Sequence, residues 1–132
     1  MESFKVLLVD DEVEFVSTLA ERLRIRGIDT LVATDGQEAL GIVEKERPRV
    51  VVLDIMMPGI GGLDILRYIR DHYRGVEVIL LTGRGSTREG VMGMNLGAFD
   101  FLLKPAKIEE LIPRMMEAAR RAGQETTEAE EA

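Results

Sequence analysis

Five short runs rich in Val, Leu and Ile alternate with longer stretches whose apolar residues recur at helical spacing. The runs are FKVLLV (Phe4–Val9), IDTLVA (Ile28–Ala33), RVVVLD (Arg49–Asp54), VEVILL (Val76–Leu81) and FDFLL (Phe99–Leu103). Short, almost unbroken apolar runs suit strands buried on both faces, and their alternation with amphipathic helices implies a parallel sheet. A chain of 132 residues is long enough for one such core and too short for two.

The helical stretches carry their own punctuation. Val16, Leu19, Ala20 and Leu23 repeat at i, i+3, i+4 and i+7, and Gly27 is placed to end that first helix. Asp35, with Glu38 three residues on, resembles a capping box at the start of the second, and Pro48 follows as a stop. The pattern predicts a third helix from about Gly62 to His72, and a fifth with Ile108, Leu111, Ile112, Met115 and Ala119 on one face. Gly90 and Gly93 each cost ~1 kcal/mol relative to Ala inside a helix, so the fourth is expected to be short and mobile. Pro113 lacks a backbone donor and predicts a kink or a late start in the fifth.

After Gly123 the chain reads QETTEAEEA, with four Glu and nothing apolar larger than Ala. We therefore expect a folded domain over residues 1–122 and, over 123–132, an acidic disordered tail, frayed helix or linker. The fold class expected is α/β: a doubly wound, five-stranded parallel sheet in the flavodoxin-like order 2-1-3-4-5, sandwiched as three layers.

Composition removes several function classes. No apolar run reaches the length of a membrane span, and the start MESFKVLLVDDE has neither the length nor the cleavage site of a signal peptide. A soluble, cytoplasmic protein with no membrane partner is expected. Zero Cys excludes disulfides and thiolate metal sites, and a formal charge of −7 opposes direct binding to nucleic acid.

In the 2-1-3-4-5 order the first and third strands are neighbours, and ligands bind in the crevice at their carboxyl ends. Asp10 and Asp11 end the first strand and Asp54 ends the third, so three carboxylates gather there. Such a set suits a hard, oxygen-seeking cation such as Mg²⁺ far better than zinc. Asp10 and Asp11 read equally well as caps of the first helix, with Glu14 three residues past Asp11. Asp54 ends a buried run and needs a partner. Thr82 and Lys104 follow the fourth and fifth strands. Each alone is an ordinary strand-end hydroxyl or surface charge; together they supply donors for an anion, and phosphoryl fits.

These blocks, VDDE at 9–12, VLDIMMPGIGGLDIL at 52–66, LTG at 81–83 and GAFDFLLKP at 97–105, resemble the receiver domain of response regulators in two-component systems, over about Phe4 to Ala122. The resemblance implies a phosphoprotein in a phosphorelay, with Asp54 as phosphoacceptor. It implies Mg²⁺, for which Mn²⁺ can substitute, on Asp11, Asp54 and the Met56 backbone carbonyl, with Asp10 acting through water. Thr82 and Lys104 would contact the phosphoryl oxygens, the Gly83 backbone would approach them, and the Lys104–Pro105 bond would be cis. Thr82 and Phe101 would form the switch, with the fourth helix, fifth strand and fifth helix as output surface. Met56 and Arg84 would tune phosphoryl lifetime, Met56 by shielding the bond. Gly83 read alone is a turn glycine, and Phe101 a core residue.

The implied partner is a sensor histidine kinase or histidine phosphotransfer protein, and the protein is a monomer or a phosphorylation-dependent homodimer. Pro113 departs from a plain helix on the dimer face. The chain is then no enzyme in its own right, although it assists its own phosphorylation and dephosphorylation. His72, late in the third helix, is read as a solvated helix-end residue. A flavin-binding protein of this architecture would need a Ser-, Thr- or Gly-rich loop where DDEVE stands, and a phosphoaspartyl hydrolase a DxDxT motif. A phosphorylation-independent binding platform of the same fold is the remaining alternative. A stand-alone protein and one domain of a longer regulator fit the sequence equally.

Overall fold

The computed structural model describes residues 3–83 and 87–131, with side chains described as far as residue 124. Its strands are β1 (Lys5–Val9), β2 (Asp29–Ala33), β3 (Val50–Leu53), β4 (Glu77–Thr82) and β5 (Asp100–Leu103). They form one parallel sheet in the order β2-β1-β3-β4-β5. The helices are α1 (Val13–Ile25), α2 (Gly36–Glu46), α3 (Gly62–His72), α4 (Thr87–Asn95) and α5 (Ile108–Glu131).

Alternate side chains of the strands build two cores. On one face Leu7, Val9, Val51, Leu53, Val78 and Leu80 pack with α2 and α3; on the other Val6, Leu8, Val50, Val52, Ile79 and Leu81 pack with α1 and α5. That explains the apolar runs: β3 and β4 are buried at every position, and polar residues enter only at the two ends of β4, as Glu77 and Thr82. Residues 16, 19, 20 and 23 are the buried stripe of α1, as their spacing predicts, and Gly27 turns the chain with φ 82°.

Asp35 caps α2 by accepting from the Glu38 N–H at 2.8 Å, while Glu38 reaches back to the Thr34 N–H at 2.8 Å. The helix ends at Arg47, in the left-handed region at φ 49°, with its guanidinium over the Tyr73 ring. The glycines of α4 have a packing reason. A Cβ on Gly90 would lie 2.3 Å from the Phe101 ring, and one on Gly93 would lie 2.2 Å from a Leu80 methyl. The helix is short, at 9 residues, and its backbone presses against those two side chains.

For the fifth helix one branch of each of two alternatives falls away. It starts at Ile108 and carries Pro113 within its span, so its start is not delayed to the proline. Of the readings of the acidic segment, the helical one fits: the backbone stays helical past Gly123 to Glu131. Gln, Glu and Ala are good helix formers, and α5 is already nucleated by its buried face at Leu111, Met115, Ala118 and Ala122. At the opposite edge of the sheet from the strand carboxyl ends, the buried Glu77 takes Arg70 of α3 at 2.9 Å and Arg121 of α5 at 3.5 Å.

Candidate functional site

Strand pairing extends one residue past the strands and fixes the rim of the sheet. Asp10 N–H donates to the Ala33 carbonyl at 3.1 Å, Asp54 N–H to Val9 at 2.9 Å and Lys104 N–H to Thr82 at 2.9 Å. The register pairs Val9 with Leu53 and Thr82 with Leu103, so Asp10, Asp54, Thr82 and Lys104 all come to the same carboxyl edge. The Lys104–Pro105 peptide bond is cis.

Asp54 is the centre of that group and is only 5% exposed. Its Oδ1 accepts from the Thr82 hydroxyl at 3.0 Å and from the Met56 N–H at 3.2 Å, and its Oδ2 faces the Lys104 ammonium at 3.5 Å. Lys104 also meets Asp10 at 2.7 Å and Glu12 at 2.8 Å, and lies over the Phe15 ring. Three carboxylates therefore share one ammonium. Burial pushes the Asp10 carboxyl above the ordinary carboxylate range, against the downward pull of Lys104 and of the Glu12 N–H. Burial alone would lower Lys104, but its bonds to Asp10 and Glu12 and the charge of Asp54 outweigh it and hold the ammonium charged, above its usual value.

The chemistry of the donors is that of a hard-cation site. Asp10, Glu12 and Asp54 each offer one carboxylate oxygen, and these oxygens lie within 4.8 Å of one another. Asp11 is exposed and stands outside this group, whereas Glu12, which sequence reasoning did not single out, is inside it. The signal for Glu12 was the third acid of the DDE run, whose side chain can turn back over the rim.

The other expected residues sit as follows. Met56 donates its backbone N–H to Asp54, and the residue is 58% exposed. Gly83 is exposed, and a Cβ there would meet nothing within 4 Å. Phe101 is half-buried against Gly90. Arg84 lies outside the described residues. His72 is on the exposed end of α3, stacked on Tyr68, away from the rim.

Sequence reasoning also missed Gly62. A Cβ there would lie 2.5 Å from the Ile55 Cα and 2.6 Å from the Asp54 carbonyl oxygen, and the Gly62 N–H bonds Ile55 at 3.1 Å. A glycine at the start of α3 lets that helix clamp the loop that carries Asp54.

Residues 6–116 match the response regulator receiver domain family. The DNA-binding response regulator MtrA of Mycobacterium tuberculosis (strain H37Rv) is 39% identical over 124 residues, covering 94% of this chain and 54% of the relative. The chain thus spans about half the length of the curated relatives it matches. Among solved structures, a response regulator receiver domain protein from Clostridium thermocellum superposes with TM-score 0.86 at 32% identity, covering 92% of this chain and 98% of that one. The BeF3-activated receiver domain of RstA from Klebsiella pneumoniae does so with TM-score 0.81 at 30% identity, covering 88% and 98%. The acidic pocket of Asp10, Glu12 and Asp54 fits a phosphorylation site of that kind. Among the described residues no helix is long and apolar enough to cross a membrane.

Proposed function

The chain belongs to the response regulator receiver domain family, and from that premise we propose that Asp54 takes a phosphoryl group from the phosphohistidine of a sensor kinase or a histidine phosphotransfer protein. The observation that carries the reading is the pair of donors on one buried carboxylate, Thr82 on Oδ1 and Lys104 on Oδ2. A carboxylate held this way has its oxygens oriented, and the same two donors lie within reach of an anion built on it.

In the transfer, an Asp54 oxygen attacks phosphorus as the P–N bond of the phosphohistidine breaks, and the imidazole leaves with the bonding pair and takes up a proton. Lys104 neutralises charge on the phosphoryl oxygens, Thr82 donates its hydroxyl to one of them, and the Gly83 N–H adds a further donor. Mg²⁺, or Mn²⁺ in its place, would be held by Asp10, Asp11, Asp54 and the Met56 carbonyl. When bound, the cation offsets negative charge on the transferring group.

The aspartyl phosphate is lost by hydrolysis that the chain itself assists. Met56 slows it by covering the bond, and Arg84 is the second residue we assign to that tuning. The new charge is local, so the output is a population shift: the Thr82 hydroxyl moves to the phosphoryl group, Phe101 follows, and the α4–β5–α5 surface changes. That surface, through an effector or a phosphorylation-dependent dimer, carries the signal. The acidic residues 123–132 serve as a tail or linker to the domain. DNA binding, which MtrA's name states for that relative, would reside outside this chain, whose net charge is −7.

The test is amide NMR of wild type and Asp54→Ala with Mg²⁺ and either acetyl phosphate or beryllofluoride, the anion that activates the RstA receiver. Shifts at Thr82, Phe101 and Lys104 are expected in wild type alone, with faster decay after donor removal in Met56→Asn. No uptake of either ligand, even with a phosphorylated kinase domain present, sinks the reading in favour of a phosphorylation-independent binding platform.

A further inference from the structure

Lys104 divides its ammonium unequally. Its nitrogen lies 2.7 Å from Asp10 and 2.8 Å from Glu12, but 3.5 Å from Asp54. The three donors of the ammonium serve three carboxylates, and the two short bonds go to those other than the one that reacts. Asp10 is buried and tied down by the Glu12 N–H at 2.9 Å, so its place is fixed by the fold. Glu12 is different. It stands at the N-cap of α1, yet its side chain makes no capping bond and instead reaches Lys104, 92 residues away in sequence. Its side chain is 63% exposed, and an exposed ion pair is cheap to break.

We propose that Glu12 is a counter-carboxylate: it holds Lys104 off Asp54 in the resting chain and competes with the incoming phosphoryl group for the same ammonium. Residue 12 then sets how readily Asp54 is phosphorylated. The proposal rests on Asp54 as phosphoacceptor and adds a positioning residue that acts through Lys104. The Phe15 ring, its centroid 4.7 Å from the ammonium, covers another side of it, so with Asp10 already held at 2.7 Å the carboxylate left for a donor released by Glu12 is Asp54.

The experiment follows acetyl phosphate labelling at saturating Mg²⁺ in wild type, Glu12→Gln, Lys104→Ala and the double variant, with the Mg²⁺ half-saturation measured for each. Glu12→Gln should label about two- to fivefold faster, the scale of one exposed ion pair. Its Mg²⁺ half-saturation should stay at the wild-type value, and its effect should vanish in the Lys104→Ala background. In metal-free protein, the ¹⁵N ammonium resonance of Lys104 should shift in Glu12→Gln. An unchanged or slower rate overturns the proposal. So does an effect that persists without Lys104, which makes Glu12 a general repulsive charge, or a raised Mg²⁺ requirement, which makes it a metal ligand. If wild type itself takes no label on Asp54, the receiver reading falls and this proposal with it; labelled wild type with unaltered Glu12→Gln removes this proposal alone.

Discussion

A buried carboxylate next to a hydroxyl and an ammonium was visible as Asp54, Thr82 and Lys104 because each stands at or just past the end of a strand, and parallel strands deliver their carboxyl ends to one edge. The glycines hid their purpose, since a missing Cβ has no pattern in a sequence. Gly90 looked like a weak point in a helix; in the fold it is the notch for the Phe101 ring. Gly90→Ala puts two effects in opposition, a helix-propensity gain of ~1 kcal/mol and an overpacking cost of about 1–3 kcal/mol. The ring is the far end of a movable side chain, so Phe101 should swing outward. The expected outcome is a small net loss of stability in urea melts and a several-fold weaker response to beryllofluoride, with the Phe101 ring resonances moved before any ligand is added. Unmoved Phe101 resonances would mean that α4, not the ring, gives way.

Among the elements, every strand and the first three helices could be placed by apolar period, caps and breakers, and the fourth helix only roughly, about its two glycines; α5 shows where that reasoning stops. Pro113 and the acidic run after Gly123 both argued for interruption, yet α5 runs through both. Local propensity lost to packing: Leu111 and Met115 flank the proline and are fully buried against the sheet, so the helix is held on either side of it. Pro113 itself is exposed and contributes little to that burial. Pro113→Ala should therefore restore a backbone donor without disturbing the core, and the chain should be stabilised by about 1–3 kcal/mol. Chemical denaturation measures it, as a higher midpoint at constant slope. A destabilised variant would show that the proline matters through the unfolded state, by limiting its freedom.

At the scale of the whole molecule, the site is a local debt carried by the rest of the fold. Three carboxylates and one ammonium are held together by a sheet and two cores that have no other reason to tolerate them. The acid side of that arrangement can be read from Asp10. Burial raises its folded-state pKa above the unfolded value near 3.9, so the folded protein binds the proton more readily than the unfolded one. Stability attributable to Asp10 therefore rises as pH falls through its folded pKa, and at neutral pH its charge is a cost. Lys104, raised in the other sense of charge, stays protonated throughout this window and loses its contribution only at strongly alkaline pH. Asp10→Asn keeps an oxygen for the Glu12 N–H while removing the charge and the second oxygen, which faces Lys104. In EDTA at pH 7 it should unfold at higher urea than wild type. The gain should shrink on acidification and level off below about pH 3.9, where both states of the wild-type side chain are neutral. A gain that is independent of pH would point to packing instead of charge, and a loss at pH 7 would mean that the Lys104–Asp10 pair outweighs the burial of Asp10.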